Sequence, residues 1–217
     1  MKRPRLCASI INTNIEAVKQ VEPLVDLFEV RIDLIGDGWV EVARVLKKPW
    51  IATNRLVEEG GKWSGNEARR IEKLLQAIEL GAGIVDVEYN AKNVGNIIAF
   101  VKKRATCLLS FHDFKGTPSL ETLRQITQKQ LKAGADICKI VTTARSFEDN
   151  LTVLRLITEF REIKIVAFAM GSEGMASRLL APAMGAEFTY GAVGKGIESA
   201  PGQIPVAEML KLYELLP

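Results

Sequence analysis

The residues of this chain that invite chemistry are a single histidine, a lysine set in an apolar run, and carboxylates and arginines at strand-like spacing. Lys139 lies between Cys138 and Ile140. An amine buried among Ile137, Ile140 and Val141 is desolvated, which favours the neutral, nucleophilic form that imine formation with a ketone requires. The bland alternative is a lysine that snorkels from a strand end. His112, the single histidine, follows the apolar run 106–111. Beside an imine-forming lysine, an imidazole can remove the acidified α-proton and then protonate a leaving hydroxyl. Alone, it is an ordinary strand-end histidine bonded to local backbone. Glu29 and Arg31 are two apart and point to one side of a strand, bracketed by Phe28, Val30 and Ile32. Arg55, Glu59, Gly60 and Gly61 follow a later apolar run, where the alternative is a polar loop turned by its glycines. Near the end, Arg178 lies in "MGSEGMASR" and Gln203 in "ESAPGQ". The glycine-rich stretch 191–202 is either a phosphate cradle or a flexible lid.

Side chains spread this widely need a scaffold, and the chain supplies a repeating one. Short β-type runs at 6–11, 27–34, 50–55, 84–89, 106–112, 136–141, 164–170 and 187–191 alternate with helical patterns. Ser64 and Glu67 suggest a capping box for a helix ending near Gly81. Thr117 and Pro118 suggest an N-cap and first-turn pair for a helix stopped at Gly134. Pro205 opens a last helix with Val206, Met209, Leu210 and Tyr213 on one stripe. The order is α/β with a parallel sheet. Parity decides between open sheet and barrel. Glu29, Arg31 and Asp33 share one side, as do Asp86 and Glu88, and Ser110 and His112. An open sheet covered by helices on both faces has no place for so many charges, whereas a barrel mouth does. The expectation is a compact (β/α)8 TIM barrel, one domain over residues 1–217.

Composition narrows the function classes. The 217 residues are 47% hydrophobic and 25% charged, which is globular and not disordered. The formal charge of +3 is scattered without a basic block, so nucleic acid is not an expected partner. Residues 1–5 are basic but no apolar h-region follows, and no run approaches the roughly 18–20 residues of a membrane span. Membrane association is not expected. Cys7, Cys107 and Cys138 are odd in number and far apart, which suits a reducing cytoplasm. One histidine does not suffice for a His-rich zinc site, so no metal is expected.

Taken in order, the segments "CASI", "FEVRID", "TNRLVEEGG", "DVEY", "SFHDF", "KIV", "MGSEGMASR" and "SAPGQ" resemble type I 3-dehydroquinate dehydratase, the third enzyme of the shikimate pathway, over nearly the whole chain. The resemblance implies a (β/α)8 barrel and 3-dehydroquinate as small-molecule substrate. It implies no cofactor, and a homodimer is compatible with it. It also implies roles. Lys139 is similar to the Schiff-base lysine, His112 to the general base and acid, and Glu59 to the carboxylate that orients it. Glu29, Arg31 and Arg55 are similar to residues that hold substrate hydroxyls and support the catalytic pair. Arg178 matches the arginine for the substrate carboxylate, and Ser199 and Gln203 match a loop that closes over it. Ser9, Asp86 and Glu88 then fall to inner-barrel support. Two positions depart from the family pattern: Phe168 replaces a common methionine and Tyr190 a common phenylalanine. Both are expected only to keep an apolar wall. The short start, 1–5, leaves little for extra N-terminal strands, so a more open barrel floor is expected, and 192–203 is expected to be a mobile lid. A class I aldolase with phosphate at Gly191, Gly194 and Gly196 is the competing enzyme. A barrel that has lost catalysis is the non-enzymatic alternative, against which the retained buried charges argue.

Overall fold

The structure, a computed structural model, describes residues 3–215. Eight strands form it: β1 Leu6–Ile10, β2 Leu27–Arg31, β3 Trp50–Thr53, β4 Ile84–Glu88, β5 Thr106–His112, β6 Ile137–Thr143, β7 Ile165–Met170 and β8 Thr189–Ala192. The helices are α1 Ile15–Val21, α2 Ile32–Ile35, α3 Trp39–Val45, α4 Glu67–Glu79, α5 Val94–Val101, α6 Leu120–Ala133, α7 Glu148–Glu159, α8 Met175–Met184 and α9 Val206–Glu214. All neighbouring strands pair in parallel, and β1 pairs with both β2 and β8. The sheet therefore curls into a (β/α)8 barrel, as the parity of the charges requires. Its seam lies between β7 and β8, which form no ladder among the described residues; Glu187 N–H donates to Ile165 O at 2.8 Å across it.

Alternation along the strands builds two cores. Outward residues such as Phe28, Val30, Ala52, Val85, Val87 and Leu109 pack beneath the helices. Inward residues at the strand starts, Cys7, Leu27, Ile51, Leu108, Ile137 and Phe188, are at most 3% exposed and plug the barrel floor. The expected open floor is thus overturned: side chains of the strands themselves fill it. Met1 and Lys2, part of the short start, lie outside the described residues.

Other expectations shift by a few residues. The second strand stops at Arg31, and Ile32 begins α2. Asp33 therefore leaves the inner face and turns back to clamp Arg31. The third strand ends at Thr53, before Arg55. Asn66, not Ser64, caps α4, its side chain accepting from Ala68 N–H at 2.7 Å. Ser64 follows directly on a segment still bonded to Arg55 and Leu56, so it comes too early to start a helix. Ser119 caps α6, because the Thr117 hydroxyl donates to Thr143 O at 3.1 Å and is tied to β6. That helix does stop at Gly134.

Candidate active site

Register brings the inward polar side chains into one layer. Ser110 pairs with Lys139 across β5 and β6, and Glu88 pairs with Ser110 across β4 and β5. Lys139 is 4% exposed, so it does not snorkel. Its Nζ donates to Asp86 Oδ2 at 2.9 Å and lies 3.6 Å from Glu29 Oε1. The Lys139 ammonium also stands 4.5 Å from the centroid of the Tyr190 ring. Asp86 accepts from Arg55 at 2.6 Å and from the Ser110 hydroxyl at 2.6 Å. Burial alone would push its carboxyl up, but Arg55 and Lys139 hold it well below the usual carboxylate range. Arg55 also bonds Ser110 Oγ at 2.7 Å and lies 3.2 Å from Glu88, which Arg70 meets at 2.6 Å. Glu29 accepts from Ser9 at 2.8 Å and from Thr53 at 3.0 Å. The layer is a continuous network of compensated charges with a lysine at its upper face.

A short 3₁₀ turn after β3, Val57–Glu59, aims Glu59 at the mouth. Its end needs Gly60: the backbone there has φ 74°, and an added Cβ would come 2.3 Å from the Phe114 ring. That ring stacks on His112 with centroids 6.1 Å apart. His112 Nδ1–H donates to Glu59 Oε2 at 2.9 Å, which leaves Nε2 as the free, basic nitrogen. Burial holds the imidazole well below its ordinary pKa, and the charges of Arg55 and Lys139 add to that. Burial pushes Glu59 up to about 7, Arg55 opposing and Glu88 and Asp86 reinforcing it. An activity that needs basic Nε2 should therefore fall as pH drops through about 7, because a protonated Glu59 donates to Nδ1 and moves the imidazole proton to Nε2. The expected kcat/KM profile is flat above that point and declines about tenfold per unit below it. Glu59→Gln should remove the inflection, and an unchanged inflection in that variant would refute the assignment.

Arg178, on α8, reaches the cavity from the other side and is 1% exposed. Nη1 donates to Tyr190 O at 3.4 Å, while Nε and Nη2 have no partner. Burial lowers this guanidinium to about 10, and among the described residues no carboxylate lies within ion-pair distance. The segment after β8 folds over the mouth. Gln203 Oε1 accepts from Ser199 N–H at 2.6 Å and Ser199 Oγ at 3.0 Å, and its Nε2 donates to Ser9 Oγ at 3.3 Å. Gly171 N–H donates to Pro201 O at 3.2 Å and latches the segment to the end of β7. Gly202 makes this approach feasible, with φ 74° and only 2.3 Å between an added Cβ and Gly171 O. Gly202→Ala should weaken the folded-over state by roughly 1–3 kcal/mol. KM should rise while the melting temperature stays near that of the parent; an unaltered KM would show that the latch does not matter.

Ser9, Glu29, Arg31, Arg55, Glu59, His112, Lys139, Arg178, Ser199 and Gln203 all line a single cavity of about 110 Å³ at the C-terminal end of the barrel. These ten residues singled out from the sequence are thus brought together, whereas Asp86, Glu88, Gly191, Gly194 and Gly196 do not line the cavity. Two are less free than expected: Arg31 is held by Asp33 at 3.0 and 2.8 Å, and Arg55 by Asp86 and Ser110. The sequence sets Asp86 aside as support, although it bonds Lys139 directly; it places Ser110 on the inner face without its bonds to Asp86 and Arg55, and gives Phe114 no role. Strand register reveals the Asp86, Ser110 and Lys139 pairings; Phe114 lies past the end of β5, where register does not reach. Among the described residues no group of three or more His, Cys, Asp and Glu is disposed to hold a metal ion, and no helix is long and apolar enough to cross a membrane.

The family model for type I 3-dehydroquinase matches residues 6–217. The chain belongs to the type I 3-dehydroquinase family. It is 42% identical to the 3-dehydroquinate dehydratase of Dehalococcoides mccartyi, over 98% of this chain and 96% of that one. With the 3-dehydroquinate dehydratase of Methanosarcina mazei it shares 35% identity, over 99% and 96% of the two chains. Among solved structures, the type I 3-dehydroquinate dehydratase of Clostridium difficile, with covalently modified comenic acid, superposes with a TM-score of 0.86 at 26% identity, covering 99% of this chain and 92% of that chain. The 3-dehydroquinase fold and the barrel described above agree from end to end.

Proposed function

We propose that the protein eliminates water from 3-dehydroquinate to give 3-dehydroshikimate, with Lys139 as imine-forming residue, His112 as acid and base, and Arg178 as the carboxylate site. The observation that carries the reading is the shared cavity: a buried lysine, a neutral imidazole and a guanidinium whose Nε and Nη2 lack partners among the described residues all open onto it. The Lys139 ammonium gives a proton to solvent and attacks the C3 ketone as the free amine; a solvent proton returns as water leaves, which gives a protonated imine that draws electrons from C2. His112 Nε2 takes the C2 proton, leaving an enamine. The enamine expels the C1 hydroxyl, which leaves as water on receiving a proton from His112. Hydrolysis of the imine frees the product and restores Lys139. Glu59 holds the His112 tautomer, Asp86 and Glu29 keep a counter-charge beside the nitrogen, and Ser199 and Gln203 limit water entry.

The aldolase alternative has less support. An added Cβ at Gly191 would come 2.7 Å from Val206, so this glycine serves packing against α9. Gly196 N–H is already taken by the Glu198 carboxylate at 2.9 Å, an arrangement hostile to phosphate. Free buried cysteines suit the further reading of a reducing, cytoplasmic setting.

The test is the ultraviolet absorbance of the conjugated enone when protein meets 3-dehydroquinate; its absence would sink the reading. Arg178→Ala should weaken substrate binding by roughly 2–5 kcal/mol. Quinate, a carboxylate, should protect the parent against heat where inorganic phosphate does not. An unchanged KM and kcat in the Ala variant would remove Arg178 from the site.

A further inference from the structure

Among the described residues, the buried cations Arg31, Arg55, Arg70 and Lys139 each meet a carboxylate within 2.9 Å. Arg178 is the exception. What it meets instead is the face of Phe168, with the guanidinium carbon 4.2 Å from the ring centroid. The Phe168 ring is itself fixed, 5% exposed and packed at 60° against Tyr190 with centroids 6.0 Å apart. Tyr190 in turn packs against Phe188 at 5.4 Å.

We propose that Phe168 is the positioning residue for Arg178, holding the guanidinium plane so that its Nε–Nη2 edge faces a ligand carboxylate. This deepens the reading of Arg178 as the carboxylate site and rests on it. A planar fork stacked on a ring can still turn within its own plane. The Tyr190 carbonyl, bonded to Nη1, stops that turn. The edge left over carries two parallel N–H groups, the geometry a carboxylate accepts in bidentate fashion. An aromatic face compensates a buried cation through its quadrupole and occupies none of the cation's donors. An acid at this place would occupy the fork and compete with the ligand. Phe168 therefore does more than keep an apolar wall.

Phe168→Leu keeps the wall and removes the face. KM for 3-dehydroquinate should rise roughly three- to thirtyfold, the span of a desolvated cation–π contact. Inhibition by quinate should weaken by the same factor, with kcat within about threefold of the parent. Phe168→Tyr, which restores the face, should return KM to near the parental value. An unmoved KM in folded Phe168→Leu, or a loss confined to kcat, overturns the proposal. If the melting curve shows that the Leu variant does not fold, Phe168→Met decides in the same way, since it nearly conserves volume. The parent in the same assay separates the two levels of the argument. An inactive parent rejects the dehydratase reading, whereas an active parent with KM indifferent to residue 168 rejects only the role of Phe168.

Discussion

Borohydride added to the protein with 3-dehydroquinate should leave the ligand skeleton on Lys139 as a secondary amine, and Lys139→Ala should show neither adduct nor turnover. The reasoning is that hydride reduces only the imine, so the label reports the nucleophile itself. Among the described lysines, Lys139 is buried and opens onto the cavity, so no other amine can substitute for it. The structure also sets the cost of removing it. Lys139 is bonded to Asp86 and close to Glu29. Lys139→Ala leaves Asp86 compensated by Arg55 and Ser110, so the loss should be about 1–3 kcal/mol, typical of a buried group deprived of one partner. The variant should therefore fold, melt earlier and be inert. Peptide mapping that finds the adduct on a different residue would end the assignment.

His112→Ala should separate the two halves of the reaction. The amine remains, so the imine forms and borohydride still traps it. Proton removal from C2 and protonation of the leaving hydroxyl both stall, and turnover should drop by roughly 10²–10⁴-fold. Trapped protein should also build up in this variant, because imine formation no longer feeds a fast next step. The geometry makes this a test of chemistry and not of folding. His112 is bonded to Glu59 and stacked on Phe114 at the rim, whereas the charge layer below holds together without it. Parental turnover in the Ala variant would transfer acid–base work to another group.

Much of this site is legible from residue parity. Glu29, Asp86, Ser110, His112 and Lys139 announce an inner face because a strand alternates strictly, and charge on one side of a parallel strand demands an opening. Parity fails where a strand ends. Asp33 reads as a continuation of Glu29 and Arg31, yet Ile32 starts a helix and Asp33 becomes the clamp on Arg31. Arg55 lies past β3 and its direction depends on the loop, which alternation does not govern. Pairings such as Asp86 with Lys139 depend on strand register and on side-chain length. Caps shift for a related reason: Ser64 and Thr117 are good capping residue types, but tertiary bonds hold their segments in loop conformation. Nothing in the order of residues says that the Phe168 ring lies under the Arg178 guanidinium, since that contact joins a strand to the helix after it.

The seam between β7 and β8 gives the ligand a mechanical role. Arg178 follows β7, Ser199 and Gln203 follow β8, and the two strands share no ladder among the described residues. On the proposed role of Arg178, a carboxylate gripped there beneath the loop that carries Ser199 and Gln203 would span this gap from above, while Glu187 and Ile165 bridge it from below. On that reading the substrate would be a temporary rung of the barrel wall. Amides of β8 should exchange more slowly when the cavity is filled, and the protein should be stiffest during the step in which water must be kept from the imine.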